Sequence, residues 1–232
     1  MFSNFIYLII AILIFTVYQP SENPGLSAVG AFAFAAALVV GFAVVSRWFF
    51  RRLSKTIVQI DAFNADHRFS SLLTRQSIMV VALFAILVHG LALPSQLGHW
   101  TVFQMLPTLL AVVFLLLFLL LLTVVWYHAY ASYRQLYGAD VSRRVYIISN
   151  WRMSVPILIP WVMISLIADI IFALPFESPK RFLGTTEGEV VYFLTFLILV
   201  AVFAPLVIQR LWGCTPLEPG FYRERIENLC QR

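Results

Sequence analysis

Ionisable side chains within apolar stretches are the residues of this sequence best placed to do chemistry. Asp169 is the only carboxylate well inside a long apolar stretch, where an ionisable group is costly enough to indicate a function. His89 and Glu189 lie near the ends of two other apolar stretches. A polar cluster of Asp169, His89 and Glu189 at one mouth of a membrane domain would relay a proton or an ion. The simpler interpretation is that Asp169 reaches the membrane interface or binds one neighbouring donor.

The sequence contains no motif for metal or nucleophilic catalysis. Zinc peptidases use HExxH on a helix, where two histidines hold the metal and the glutamate activates water. The four histidines, His67, His89, His99 and His128, are scattered and have no such spacing. Cys214 and Cys230 have no histidine beside them and are expected to be free thiols. We therefore assign no catalytic and no metal-binding residue to this sequence.

Composition indicates an integral membrane protein. The 232 residues are 61% hydrophobic and 12% charged, whereas soluble domains have roughly 25% charged residues. The net charge of +5 does not indicate nucleic-acid binding, because the basic residues lie between apolar stretches and not on one polar surface. The first apolar stretch has no basic residue before it and no small-residue cleavage site after it. We predict that it is a retained membrane span.

Helical spans are predicted wherever about 20 apolar residues follow one another, the length that crosses a bilayer of roughly 30 Å. The sequence predicts an all-α polytopic membrane helix bundle. Its six predicted spans are Phe2–Tyr18, Leu26–Phe50, Ser77–Leu93, Gln104–Tyr127, Val155–Leu174 and Val190–Trp212.

The basic residues predict the orientation of the bundle in a bacterial inner membrane. All Lys and Arg residues except Lys180 and Arg181 fall on one side of the predicted spans. Basic residues in short loops stay in the cytoplasm, so both chain ends are expected to be cytoplasmic.

Two cytoplasmic connections are expected to contain surface helices. Leu53, Ile57, Ile60 and either Phe63 or Asn64 recur at helical spacing and predict an amphipathic helix on the membrane surface. Gly138 and Asp140 precede a second short helix with Arg143 and Arg144, before Pro156 begins the fifth span. The outer loop, residues 175–189, is rich in Pro, Gly and Thr and is predicted to be irregular.

The last residues predict a helix with one apolar face. Gly213 ends the sixth span, Pro216 and Pro219 keep the following link extended, and a helix begins after Gly220. An isolated helix of about a dozen residues is marginal in water, so this face needs a covering surface. That surface is either the lipid headgroups or protein. The predicted docking face consists of Tyr222, Ile226, Leu229 and Cys230.

Two stretches carry a resemblance to a known family. "CTPLEPGFYRERIENLC", Cys214 to Cys230, resembles the linker and first helix that lead into the catalytic domain of bacterial membrane zinc metallopeptidases of the HtpX and CAAX-prenyl-endopeptidase type. "VSRRVYIISNWRMSVPILIPWVMISLIADI", Val141 to Ile170, is similar to the cytoplasmic helix and following span of large members. The resemblance covers about a fifth of the chain, and HExxH is missing.

The resemblance implies that residues 1–213 are a six-span membrane domain and that residues 214–232 begin a truncated cytoplasmic, peptidase-like domain. Zinc would belong to the missing catalytic domain, so this chain alone should not cleave peptides. Its expected partners are the lipid bilayer and either the catalytic domain or a cytoplasmic protein. The alternative is a complete small membrane protein that acts as a scaffold or transports a solute.

Overall fold

The computed structural model describes residues 3–20, 27–57, 61–212 and 220, and these ranges contain helices and turns but no β-strand. The docking face predicted in the tail, Tyr222 to Cys230, lies outside them. The helices are α1 (Ser3–Thr16), α2 (Ala28–Ile57), α3 (Ala62–Ala85), α4 (Leu93–Gly98), α5 (Thr101–Met105), α6 (Pro107–Tyr137), α7 (Arg143–Ala173), α8 (Glu177–Leu183) and α9 (Thr186–Trp212).

Helix α6 is the central element of the bundle. It packs against α1, α2, α3 and α7, and its side chains Phe118, Leu122 and Trp126 are fully buried. In a bilayer the alternative neighbours of an apolar side chain are lipid tails, so close packing and hydrogen bonds between helices hold such a bundle together. The apolar sequence of α6 therefore reflects its place in the interior of the protein.

Helices α2 and α3 are longer than predicted and leave no separate surface helix between them. Leu53 and Ile57 belong to the last turns of α2, Phe63 lies in the first turn of α3, and Ile60 lies outside the described residues. Ile57 is buried, as is Phe69 farther along α3. The prediction of a separate surface helix is wrong here because its described residues belong to the ends of α2 and α3. Leu53 and Ile57 are covered by protein, whereas Phe63 is 80% exposed.

Helix α7 also replaces a predicted surface helix and span with one element. Ser142 caps its start by accepting a hydrogen bond from the Val145 backbone N–H. The helix then bends by 48° between Arg143–Pro156 and Leu158–Ala173. Pro156 and Pro160 lack the backbone N–H that would continue the helical hydrogen bonds, which bends a helix without ending it. The predicted second helix is therefore the first half of α7, continuous across the bend with the fifth predicted span.

The connections at the opposite end of the bundle are short and partly helical. Helix α3 ends in a π-helical turn, Ile86–Gly90, and Ala92 follows with a left-handed φ of 47° before α4. The loop predicted to be irregular contains α8 and the first turn of α9. We call this end the His89 end and the other the Tyr137 end, after residues in α3's π-helical turn and at the end of α6.

Among the described residues, four helices are long and apolar enough to cross a membrane: α2, α3 with its π turn, α6 and Thr186–Phe203 of α9. The two halves of α7 give a fifth candidate if they are one span. Helix α1 has 14 residues and is about 21 Å long, which is short for a hydrocarbon layer of about 30 Å. An all-helical fold with apolar helices that could span a membrane is confirmed for the described residues, whereas the predicted number of six spans is not.

Candidate functional sites at the two ends of the bundle

The π-helical turn of α3 holds His89 against the end of α1. Its Nε2 lies 2.9 Å from the carbonyl oxygen of Ile14. A carbonyl only accepts hydrogen bonds, so Nε2 is the donor in this contact. The Ile14 carbonyl is among the last four of α1, which lack helical donors. His89 thus satisfies an open helix end, and π-helical turns are frequent at functional sites.

Tyr18 and Ser95 extend this contact around His89. The Tyr18 ring packs edge-on against the His89 ring, with 5.5 Å between centroids. The hydroxyls of Tyr18 and Ser95 share a hydrogen bond of 2.5 Å. Tyr18 follows α1, His89 lies in the π turn and Ser95 lies in α4. Contacts among the three side chains therefore hold the end of α1 against the rest of the bundle.

Asp169 has a different partner at the same end. Its Oδ2 accepts a hydrogen bond of 2.7 Å from the backbone N–H of Thr108, the second residue of α6. The N–H groups in the first turn of a helix have no helical acceptor, and a negative charge there is favourable. Pro107, at the first position, has no N–H to satisfy. Asp169 therefore caps α6 from a neighbouring helix.

Glu189 lies in the first turn of α9 and its side chain is exposed. A negative charge is also favourable there. Within the described part of the chain, Asp169 bonds to α6, His89 bonds to α1, and Glu189 has no side-chain hydrogen bond or ion pair. The structure thus gives these three residues separate surroundings, and their joint role in a relay stays a prediction.

At the Tyr137 end, five tyrosines form a group that we call the tyrosine cluster: Tyr127, Tyr130, Tyr133, Tyr137 and Tyr146. Tyr133 lies between Tyr146 of α7 and Tyr137, with ring centroids 4.6 and 5.0 Å away. Tyr137 also packs edge-on against Phe69 of α3, at 6.4 Å, and its hydroxyl donates to the Asp66 carboxylate. The cluster therefore connects α3, α6 and α7.

Arg143 closes the turn between α6 and α7. Its guanidinium carbon lies 4.4 Å from the centroid of the Tyr127 ring and 5.3 Å from that of Tyr130. The Tyr130 hydroxyl donates a hydrogen bond of 2.7 Å to the carbonyl of Val141. Gly138 begins the turn with a left-handed φ of 57°, a conformation that glycine adopts without strain.

A hydrogen bond between side chains joins α6 and α7 farther from the turn. The indole Nε1–H of Trp151 donates to the hydroxyl of Thr123 at 2.8 Å, and that hydroxyl donates to the Leu119 carbonyl at 2.8 Å. Both residues are half-buried. A satisfied polar pair of this kind fixes the contact between two apolar helices, which otherwise has little directional preference.

Sequence reasoning gave Tyr127 and His128 no role and missed the tyrosine cluster. The signal was present in the spacing, since Tyr127, Tyr130, Tyr133 and Tyr137 recur every three or four residues. Recognising it required knowing that α6 continues for ten residues beyond its predicted end at Tyr127.

Among the residues that the structure describes, no three His, Cys, Asp or Glu side chains are grouped to hold a metal ion. No protein-family model matches the chain, and no significant match was found among curated proteins or solved structures. The function must therefore be argued from the residues and their geometry.

Proposed function

We propose that this chain is the membrane-embedded region of a zinc-dependent metallopeptidase, and that it holds the catalytic domain at its Tyr137 end. The proposal rests on the resemblance of two stretches of sequence and on the directions of α7 and α9 in the fold. Zinc and the catalytic residues would belong to the domain that follows Arg232, and the present chain would be inactive alone.

The supporting observation is the direction of α9 relative to α7. The Tyr192 hydroxyl of α9 donates to the carbonyl of Ile164 in α7 at 2.5 Å, and α8 connects the two helices at the His89 end. Helix α9 is therefore antiparallel to α7 and returns toward the Tyr137 end. The segment that resembles the peptidase linker follows α9, and Val141, where the other resembling segment begins, is bonded to Tyr130 at that end. The described part of α9 thus ends toward the end of the bundle at which α7 begins.

The distribution of charge supports a cytoplasmic location for this end. The Ser132 hydroxyl donates to the carbonyl of Phe50 at 3.4 Å, so the last turns of α2, with Arg47, Arg51 and Arg52, lie beside the end of α6. Arg143 and Arg144 begin α7 nearby. Basic residues near span ends favour the cytoplasmic side, and a bacterial inner membrane is the membrane we propose.

The test is the reading frame beyond the codon for Arg232. We expect it to encode HExxH and a further acidic zinc ligand in a soluble domain. The purified longer protein should then contain about one zinc ion per chain. It should cleave a peptide substrate, whereas its HExxH glutamate→Gln variant and the 1–232 chain should not. A stop codon directly after Arg232 would contradict the proposal and leave the scaffold or transport role.

The orientation has its own test. Cys230 should be inaccessible to a membrane-impermeant maleimide in intact cells and should react after the cells are opened. Labelling of Cys230 from outside intact cells would contradict a cytoplasmic tail, whatever the reading frame contains.

A further inference from the structure

Three buried polar atoms in the middle of the bundle have no hydrogen-bond partner among the described residues. They are the Ser46 hydroxyl on α2, the Gln76 Oε1 on α3 and the Trp126 Nε1 on α6. The three residues are 0%, 1% and 0% exposed. An unpaired buried polar atom costs about 1 to 3 kcal/mol, so native proteins rarely retain one without a partner.

Gln76 and Trp126 lie at similar levels of two antiparallel helices. The rings of Phe84 on α3 and Phe118 on α6 are 5.2 Å apart. Gln76 precedes Phe84 by eight residues and Trp126 follows Phe118 by eight residues. Equal steps in opposite chain directions along antiparallel helices bring the two residues to one level by this contact. By the contact between Phe69 and Tyr137 they lie within four residues of one level, about 6 Å along the helix axis.

The same two residues also face each other across this interface. Trp126 precedes Tyr137 by eleven residues, which is three helical turns, and Gln76 follows Phe69 by seven, which is two turns. The rings of Tyr137 and Phe69 pack on each other. Trp126 and Gln76 therefore lie on the faces through which α6 and α3 meet.

Ser46 approaches this level from the third helix. The hydroxyl of Ser132 on α6 contacts the carbonyl of Phe50 on α2. Ser46 precedes Phe50 by four residues and Trp126 precedes Ser132 by six residues, in helices that run in the same direction. The difference of two residues is about 3 Å along the helix axis. Ser46 is thus close to the level of Trp126 on the buried face of α2.

The chemistry of the three groups matches one small ligand. The Trp126 Nε1–H only donates, and the Gln76 Oε1 only accepts. The Gln76 amide nitrogen has its own contact, 3.8 Å from the Met79 sulfur. The Ser46 hydroxyl accepts or donates. We propose that Ser46, Gln76 and Trp126 form an internal site for one water molecule, which accepts from Trp126 and donates to Gln76 and Ser46. Buried waters typically have about three such partners.

Nuclear magnetic resonance of the 1–232 chain in detergent micelles, with ¹⁵N-labelled tryptophan, tests this site. Trp126→Phe assigns the Trp126 indole signal. We expect that signal to exchange slowly in D₂O and to show a dipolar cross-peak to water, with the sign of a long-lived bound molecule. Trp151 is the matched control, since its indole already donates to Thr123, and it should show no such cross-peak.

Substitutions on the other helices then remove the remaining partners of the water. Ser46→Ala combined with Gln76→Leu should abolish the Trp126 cross-peak and leave the Trp151 signal unchanged. If the double variant does not fold, Ser46→Ala alone should weaken the cross-peak at least twofold. A slowly exchanging Trp126 indole without a water cross-peak would overturn the proposal, because it would indicate a direct bond from Trp126 to Gln76 or Ser46. A Trp126 indole that exchanges rapidly would overturn it too, since the site would then be open to solvent.

Discussion

The carboxylate of Asp169 on α7 accepts a hydrogen bond from the backbone N–H of Thr108, at the first turn of α6. This contact accounts for an acidic residue in the apolar helix α7, and no proton relay is needed for that explanation. The carboxylate supplies an acceptor to the first turn of α6, whose N–H groups have no helical acceptor. It also joins the far end of α7 to the start of the central helix. The tyrosine cluster joins the same two helices at the other end.

Removal of the Asp169 cap should destabilise the bundle. We expect Asp169→Ala to lower the free energy of unfolding by about 1 kcal/mol, the usual cost of a lost cap. Asp169→Asn keeps an acceptor oxygen and loses only the charge, so we expect it to lower the free energy of unfolding by about 0.5 kcal/mol. Denaturant unfolding in detergent micelles measures both variants. Glu189→Gln, which removes only an exposed charge from the first turn of α9, is the control and should cost clearly less than Asp169→Ala. Equal stability of Asp169→Ala and wild type would disprove the capping role.

Replacement of His89 should loosen α1 locally. In His89→Leu the Ile14 carbonyl loses its donor, so we expect hydrogen exchange of the backbone amides in the last turn of α1 to become at least fivefold faster. Exchange in the middle of α6 should stay the same. His99→Leu is the matched control, because His99 is exposed and no side-chain hydrogen bond joins it to the described residues. Unchanged exchange in His89→Leu would show that packing alone holds α1.

The apolar periodicity of the sequence predicted the helical membrane fold, and the approximate positions of the long helices agree with it. Helix boundaries were predicted less well, because a hydropathy pattern ends where polar residues begin, whereas a helix continues as long as it has a packing partner. Tyr137 illustrates this difference. It lies ten residues beyond the apolar part of α6, yet Phe69 and Asp66 hold it against α3.

The candidate sites were less predictable for a related reason. The sequence singles out Asp169 as an acidic residue in an apolar stretch, but its partner is a backbone N–H, and the sequence carries no sign of which helix end lies beside it. Gln76 and Trp126 are separated by 50 positions in the sequence. Only the register of α3 against α6 brings them to similar levels.

The bond between Trp151 and Thr123 should couple α6 to α7. We expect Trp151→Phe and Thr123→Val each to destabilise the protein. The loss of unfolding free energy in the double variant should be smaller than the sum of the two single losses by about 0.6 kcal/mol. This is a typical coupling energy for hydrogen bonds between membrane helices. Unfolding of the four proteins in bicelles gives this double-mutant cycle. Additive effects of the two changes would show that the bond contributes nothing.

Tyr137 should contribute to stability through its hydroxyl as well as its ring. Tyr137→Phe keeps the ring contact with Phe69 and removes the bond to Asp66, so we expect a loss of about 1 kcal/mol. Asp66→Ala should lower the free energy of unfolding by a similar amount. The double variant should lose no more stability than either single variant, because both changes remove the same bond. Tyr127→Phe is the matched control, because the Tyr127 hydroxyl has no hydrogen bond to a described residue and its ring still faces Arg143. Equal unfolding free energies for Tyr137→Phe and Tyr127→Phe would contradict the role of the Tyr137 hydroxyl.

The bend of α7 should depend on Pro160. A proline ring clashes with the carbonyl four residues earlier, here that of Pro156, at the point where the two halves of α7 meet at 48°. In Pro160→Ala the restored N–H can bond to that carbonyl and straighten the helix. Val145 and Ile170 are both exposed and suitable for spin labels. When the bend of 48° between the two halves of α7 is straightened, the distance between these two positions should increase by about 3 Å. Double electron–electron resonance measures the distance, and Pro156→Ala serves as the comparison with a smaller expected change. An unchanged distance in Pro160→Ala would show that contacts with α6, such as the one between Trp151 and Thr123, impose the bend.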